Sequence, residues 1–235
     1  MDSSLDQNIV ASVLLVITGY LLGSIPSAYL VGKWLRGRDL RRYGSGTVSG
    51  SMVYEHVARW AVVPVGLFDM GKAALPAWLS LVLGLGMPVA AAAGLAAVAG
   101  HNWPVFLRFT GGRGLGSFLG VLLVIFPWGF PWLLAFLVVG WLLGDSAPWA
   151  LAGLVTLPMF AHFVGGPDVV APAAVTMLVL TLAKRLEANR RPLPPPGRER
   201  RRVVLRRLFL DRDIASHSDW IRRQPGNESS SQTGI

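Results

Sequence analysis

The residues best suited to chemistry lie between Gly100 and Gly120. This stretch, GHNWPVFLRFTGGRGLGSFLG, holds one His, two Arg, six Gly and no acid. Gly111, Gly112 and Gly114 flank Arg113. A backbone this bare can turn sharply and present its N–H groups to a ligand. The Arg113 guanidinium adds a planar fork of donors that fits phosphate. Ser117 falls where a helix would begin, and helix N-termini favour anions. The composition is that of an anion cradle, or of a plain tight turn between two apolar runs. A second segment, Arg36 to Ser51 (RGRDLRRYGSGTVSGS), sets four arginines beside flexible Gly and Ser residues, a composition that also suits phosphate. Asp69 and Lys72 are three apart and can meet on one helical face, either as a structural ion pair or with Lys72 serving a substrate. His56, His101, His162 and His217 show no metal-ligand spacing, and the 235 residues include no Cys, so neither a metal nor a cofactor is expected. No nucleophile–base pair or P-loop is legible either.

The elements that must position these residues are apolar helices. The chain is 52% hydrophobic and 15% charged, against roughly 25% charged in soluble domains. Its apolar residues come in long blocks, which points to an all-α, polytopic membrane helix bundle. The first block, 9–35, is broken at Gly23–Ser24–Ile25–Pro26–Ser27, a Pro kink or a break facing a polar cavity. Further runs cover 52–85, 88–106, 148–164 and 169–184. Two shorter runs, 115–126 and 132–143, each have only about twelve of the ~20 residues a crossing needs. They form full spans by recruiting flanking residues, or a re-entrant hairpin. With Asp2 and Asp6 outside, five or seven crossings both leave every Lys/Arg-bearing loop inside and the C-terminus cytoplasmic.

Two units are expected: a membrane domain over 1–190 and a basic cytoplasmic tail over 191–235. From Lys184 to Arg223 thirteen Lys or Arg face five acids. Within the tail, Arg198–Leu210 reads as an interfacial helix on anionic lipid, and 224–235 as disordered. Nucleic acid is not an expected partner, because the aromatics needed for base stacking are nearly missing. On this reading the tail from Pro194 onward is separable from activity. Two classes of function remain open: a transferase joining a membrane-borne acyl or prenyl group to a phosphate-bearing substrate, or an anion carrier or non-catalytic lipid-binding protein.

GYLLGSIPSAYLVGK, the GSG of Gly44–Gly46, FDMGKA at 68–73 and above all GHNWPVFLRFTGGRG resemble the bacterial membrane glycerol-3-phosphate acyltransferases that use acyl phosphate. The likeness runs from about Gly19 to Asn189. It implies seven transmembrane helices, an outer N-terminus, a cell (inner) membrane location and an active site facing the cytoplasm. It also implies transfer of a fatty acyl group from acyl phosphate to the sn-1 hydroxyl of glycerol 3-phosphate, giving lysophosphatidic acid without a metal. By the same resemblance Ser45 would hydrogen-bond at the reacting centre, between Gly44 and Gly46. Gly111, Gly112, Arg113 and Gly114 would cradle phosphate. His101, Lys72 and Ser146 would be supporting polar groups. His101 can equally be a helix-packing histidine, and Ser146 only a helix cap after Asp145.

The sequence departs from the family in two of its patterns. In the family pattern GSGN-x-GATN-x-x-R, the two amides correspond to Thr47 and Met52 and the arginine to Glu55, with Arg59 expected one helical turn beyond. In the terminal Arg-His-x-Glu-Asn pattern, Arg185 replaces the His and Asn189 is displaced by one residue. An arginine cannot serve as a base near neutral pH, but it can hold phosphate.

Overall fold

A computed structural model describes residues 2–223, and all regular structure among them is helical. The expected disorder of 224–235 lies outside the described residues. Eleven α-helices follow in order: α1 Asp2–Gly23, α2 Ser27–Arg36, α3 Gly50–His56, α4 Val62–Val82, α5 Met87–Asn102, α6 Leu115–Ile125, α7 Gly129–Leu142, α8 Ser146–Phe163, α9 Val170–Glu187, α10 Arg198–Leu210 and α11 His217–Ile221. Three stretches are long and apolar enough to cross a membrane: Leu5–Arg36, Arg59–Val82 and Met87–Leu107. α6 and α7, at 11 and 14 residues, are distinct helices. At ~1.5 Å per residue they reach about 16 and 21 Å, short of a ~30 Å hydrocarbon layer.

α5 sits at the centre, against α1, α4, α6 and α9. Its Ala90, Ala91, Ala93 and Ala97 are buried. Small residues let backbones approach closely, which is how helices pack tightly where lipid removes the hydrophobic drive between them. At Gly100 a Cβ would collide with the Tyr20 carbonyl of α1. The core continues through Phe118, Leu122 and Ile125 of α6 into Leu154, Leu157 and Met177 of α8 and α9. Outward faces carry Ile9, Leu14, Trp78, Trp141 and Phe163, all exposed, as a lipid-facing surface requires.

Two runs divide differently from their hydropathy. The block at 9–35 breaks where expected: Pro26 ends the ladder of α1, and α2 restarts at Ser27. The run at 52–85 is not one helix. α3 stops at His56, Ala58 is extended, and a 3-10 turn at Arg59–Ala61 leads into α4. Arg59 therefore does not lie one turn beyond Glu55; its guanidinium packs 5.3 Å from the centre of the Tyr54 ring.

The basic tail is docked onto the membrane unit rather than extended from it. The buried Arg185 of α9 donates from Nη1 to the carbonyl of Leu208 (2.8 Å) and from Nη2 to that of Ala147 (2.8 Å). Arg207 of α10, also buried, pairs with Asp213 (2.6 Å) and donates to the carbonyls of Leu186, Arg191 and Pro192 at 3.1–3.2 Å. Arg212 pairs with Asp145 at 2.6 Å. Trp220 of α11 lies between the guanidinium groups of Arg191 and Arg223, at 4.5 and 4.6 Å from its ring centre. The tail then reaches the Gly44 loop: Gly44 N donates to the Arg223 carbonyl (2.9 Å), and His56 Nε2 lies 2.8 Å from the Ile221 carbonyl.

Breaking a buried pair by removing one partner costs about 3–5 kcal/mol. Arg207→Met should therefore release the tail. Limited proteolysis in detergent should show cleavage within 193–223 while the helical circular dichroism of the bundle persists. An unchanged digestion pattern would show that Arg207 is not the clamp.

Candidate active site

The site grows from a buried charge. Lys72 on α4 has three ammonium protons and three acceptors: Asp69 Oδ1 at 2.8 Å, the Ile25 carbonyl at 3.0 Å and His101 Nδ1 at 3.0 Å. Asp69 also accepts from the Ser27 hydroxyl at 2.7 Å. The break between α1 and α2 thus supplies the free carbonyl and the hydroxyl that let an ion pair sit among helices. Against a charged Lys72, whose ammonium has no lone pair to offer, His101 Nδ1 accepts and the ring proton sits on Nε2; Asp69 Oδ1 lies farther from the same Nδ1, at 3.6 Å. Nε2 points at Gly112, where a Cβ would collide with the ring. Lys72, itself buried, holds Nδ1 of His101 from the α4 side.

The glycine loop wraps this histidine. Gly112 N donates to the His101 carbonyl (3.1 Å), and the Gly111 carbonyl accepts from Val48 N (3.2 Å). Gly114 has φ +72° and ends the loop as α6 begins, a conformation that a Cβ strains. The Gly44–Ser51 segment lies alongside. Asn189 joins the two, its Nδ2 donating to the carbonyls of Gly46 (2.8 Å) and Gly111 (3.3 Å). Arg191 Nη2 holds the Gly44 carbonyl at 2.9 Å. A narrow cleft of ≈ 10 Å³, room for about one water, opens here, lined by Pro26, Ser27, Val48, Lys72, His101 and Gly111 among others. Beside it, the Arg41 hydrogen bond holds the Asp39 carboxyl below the usual carboxylate range.

Of the residues singled out in the sequence, Gly44, Ser45, Gly46, Lys72, His101, Gly111, Gly112 and Gly114 belong to this assembly. Arg113 lies at its edge with its fork engaged. Nε donates to Asp211 Oδ2 (2.8 Å), Nη2 lies 2.8 Å from Asp211 Oδ1, and Nη1 donates to the Lys184 carbonyl (2.9 Å). Each Nη carries a second N–H beyond these. Arg185 is committed to carbonyls of α8 and the tail. Ser146 opens α8 next to Asp145, which caps the helix through Ala147 N (3.2 Å).

Sequence reasoning missed Ser27, Asn102 and Asp211. Asn102 and Ser117 are fully buried, and among the described residues neither side chain has a hydrogen-bond partner. The Asn102 carboxamide lies under Gly114, in the floor of the loop. No pattern in the sequence marks Asp211, since it meets Arg113 only through the folding back of the tail.

A membrane-embedded helix bundle with an anion-suited site beside broken helices defines the class. The family described as Glycerol-3-phosphate acyltransferase matches residues 13–192. "Glycerol-3-phosphate acyltransferase 5" of Dehalococcoides mccartyi (strain ATCC BAA-2266 / KCTC 15142 / 195) is 37% identical over 92% of this chain and 96% of its own length. The "Glycerol-3-phosphate acyltransferase" of Synechococcus sp. (strain CC9902) is 38% identical over 74% of this chain and 88% of its own. The crystal structure of PlsY (YgiH), an integral membrane glycerol 3-phosphate acyltransferase, superposes in its glycerol 3-phosphate form with TM-score 0.68 at 30% identity, covering 75% of this chain and 88% of that one. Its lysophosphatidic acid form gives 0.66 at 29%. The chain belongs to the glycerol-3-phosphate acyltransferase family, and it is an acyltransferase of the integral membrane type.

Removing Lys72 alone strands the Asp69 carboxylate among helices, whereas removing both charges does not. Lys72→Met should lower the thermal midpoint in detergent more than the double variant Lys72→Met/Asp69→Asn. Equal midpoints would show that the pair carries no coupled energy.

Proposed function

We propose that this chain transfers a fatty acyl group from acyl phosphate to the sn-1 hydroxyl of glycerol 3-phosphate, forming lysophosphatidic acid. The observation that carries the reading is the convergence of two glycine loops on His101, joined by Asn189, with Ser45 on one loop and Arg113 on the other. On this reading the site must hold two phosphates and offset their repulsion, and it offers no strong protein nucleophile. Acyl phosphate needs none, being an activated mixed anhydride with phosphate as leaving group. Catalysis then consists of aligning the hydroxyl on the carbonyl and stabilising developing charge with fixed donors.

Within this reading, the backbone N–H groups of Gly111–Gly114 and the remaining N–H groups of Arg113 bind phosphate. His101 Nε2–H supplies a further donor. Ser45 acts at the reacting hydroxyl. Lys72 orients His101, Arg185 secures the wall, and Ser146 completes the α8 end of it. On this reading the chain crosses the cell membrane seven times with its N-terminus outside, and the site faces the cytoplasm. The relatives' names and the two ligand forms of the solved acyltransferase support the substrate and product. Supplied with palmitoyl phosphate and labelled glycerol 3-phosphate, the purified protein should form lysophosphatidic acid, and palmitoyl-CoA should not replace the donor. Absence of product with both donors would overturn the reading.

The outward face of α10 supports the expected lipid contact. Leu205 and Phe209 are exposed, at 54% and 57%, and Arg198, Arg201 and Arg202 are exposed beside them. Basic residues around an apolar ridge suit an anionic membrane surface at about 1 kcal/mol per cation. Activity in nanodiscs should rise with anionic phospholipid content. Arg201→Gln/Arg202→Gln should flatten that response, and a response identical to the unaltered protein's would exclude the contact.

A further inference from the structure

α6 and α7 end well short of the helices beside them. A Cβ on Gly120 of α6 would collide with the Met70 carbonyl of α4, so these two residues lie at one level. From that level α6 runs only to Ile125, whereas α4 runs to Val82. At ~1.5 Å per residue, α4 continues about 10 Å past the end of α6. α8 shows the same step. Gly129, the first residue of α7, backs onto Leu157, and α8 goes on from there to Phe163. That is a further ~9 Å. The Phe126 ring reaches from the turn to Gly166, in the connection between α8 and α9. On the side of the membrane away from the glycine loop, the α6–α7 turn is therefore the floor of a notch about 10 Å deep.

The floor itself says what meets it. Pro127 carries no N–H, so it gives nothing to the Leu123 carbonyl at the open end of α6, and Leu123 is exposed. A lipid-facing carbonyl freed in this way is not tolerated in hydrocarbon; it calls for water or headgroups. Trp128, on the same turn, is 68% exposed. An exposed indole settles at the headgroup level, where its apolar ring and its N–H are both satisfied. At the other end of α7 stands Trp141, 66% exposed. Just beyond it Asp145 pairs with Arg212 at 2.6 Å, which sets that end at the level of charged groups. Between the two tryptophans Leu134, Val138 and Val139 face outward. From Trp128 to Trp141 is about 20 Å. On α4 the exposed apolar residues run from Val63 to Leu83. That surface is about 30 Å high. Two sides of one bundle thus present apolar surfaces of unequal height to lipid.

We propose that the α6–α7 hairpin is a membrane-thinning face. The leaflet away from the glycine loop sinks by about 10 Å to meet the turn, and phospholipid with short acyl chains is the lipid that covers α7. An apolar surface shorter than the bilayer is met by thinning, by snorkelling of long cationic side chains or by association. Snorkelling is closed to this hairpin, because no Lys or Arg occurs between Arg113 and Lys184. Tilting does not help either, since a tilted helix spans less height. Sinking of the leaflet answers both demands of the floor at once: water reaches the Leu123 carbonyl, and headgroups reach Trp128. The α4 side keeps a bilayer of ordinary thickness, so the protein sits in the membrane as a wedge. None of this depends on which reaction the glycine loop serves.

The chain has no Cys, so one introduced cysteine carries one label. Bimane is attached to the full-length protein at Trp128→Cys, at Leu83→Cys just past α4, or at Leu134→Cys within α7, all exposed positions. Each is reconstituted in dioleoyl phosphatidylcholine bearing a nitroxide either on the headgroup or at mid-chain. The labels at 128 and 83 should be quenched alike, chiefly by the headgroup nitroxide, and the label at 134 chiefly by the chain nitroxide. A flat bilayer would leave 128 about 10 Å deeper than 83, and quenching of 128 mainly from the chain would overturn the proposal. Quenching of 128 by aqueous iodide with little from either lipid would also overturn it, by showing a water-filled notch. So would shielding of 134 from both nitroxides, which marks a second copy over α7. Leu123→Cys retains Trp128, and its label should still respond to the headgroup nitroxide more than 134 does; the reverse order counts against sinking of the leaflet. Dimyristoleoyl phosphatidylcholine, added against the chain-nitroxide lipid, should relieve quenching at 134 more than at Leu67→Cys on α4. Equal relief would exclude selection of short-chain lipid.

Discussion

An ammonium group enclosed by helices must find three acceptors or lose its proton, and Lys72 finds them on three separate pieces of chain. Asp69 comes from its own helix, the Ile25 carbonyl from the break between α1 and α2, and His101 Nδ1 from α5. Much of the site follows from this one requirement. The break at Pro26 has to fall where its carbonyl can reach Lys72. Ser27, the first residue of α2, has to turn toward Asp69. The imidazole is left with one tautomer and one orientation, so its Nε2–H is aimed into the glycine loop. Glycine at 112 is then obligatory, because a side chain would occupy the space the ring takes.

The second organising contact is Asn189. Ala188, Asn189 and Arg190 all have positive φ, at 44°, 52° and 64°. Three non-glycine residues in the left-handed region are uncommon, and each costs backbone energy. Their effect is to swing the Asn189 carboxamide back under α9, where it binds Gly46 and Gly111 together. The one-residue displacement of this asparagine along the sequence is thus absorbed by a local reversal of backbone hand.

Composition and block length made the helical membrane class legible, and the break at 23–27, the helix at 198–210 and the glycine loop at 111–114 were readable from residue types alone. Other features were not, for physical reasons. Hydropathy cannot see the division between α3 and α4, because Val57, Ala58 and Ala61 are all apolar, Val57 and Ala61 buried and Ala58 partly so, whether or not they are helical. Charge count cannot distinguish an arginine facing lipid headgroups from one facing carbonyls. Arg185, Arg207 and Arg212 all belong to the second kind. The tail therefore reads as a basic appendage in sequence and as a docked layer in three dimensions. The hydroxyls at 45, 47, 49 and 51 are visible as letters, but their hydrogen bonds to one another are not.

The Arg113–Asp211 contact has a thermodynamic corollary. Asp211 caps α10 in the left-handed region and belongs to the tail, while Arg113 belongs to the glycine loop. A carboxylate and a phosphate both seek the same fork of N–H groups, and they repel each other. Seating of the tail and occupancy of the loop by an anion are consequently two ligations of one guanidinium, and linkage makes their coupling reciprocal. By whatever factor a docked tail weakens the hold of this arginine on an anion, a bound anion weakens the docking of the tail. On the proposed reading the α10–α11 layer, tethered at high effective concentration, competes with an anion for this arginine. The salt and phosphate content of the surrounding medium bears on the seating of the α10–α11 layer as well as on the filling of the loop.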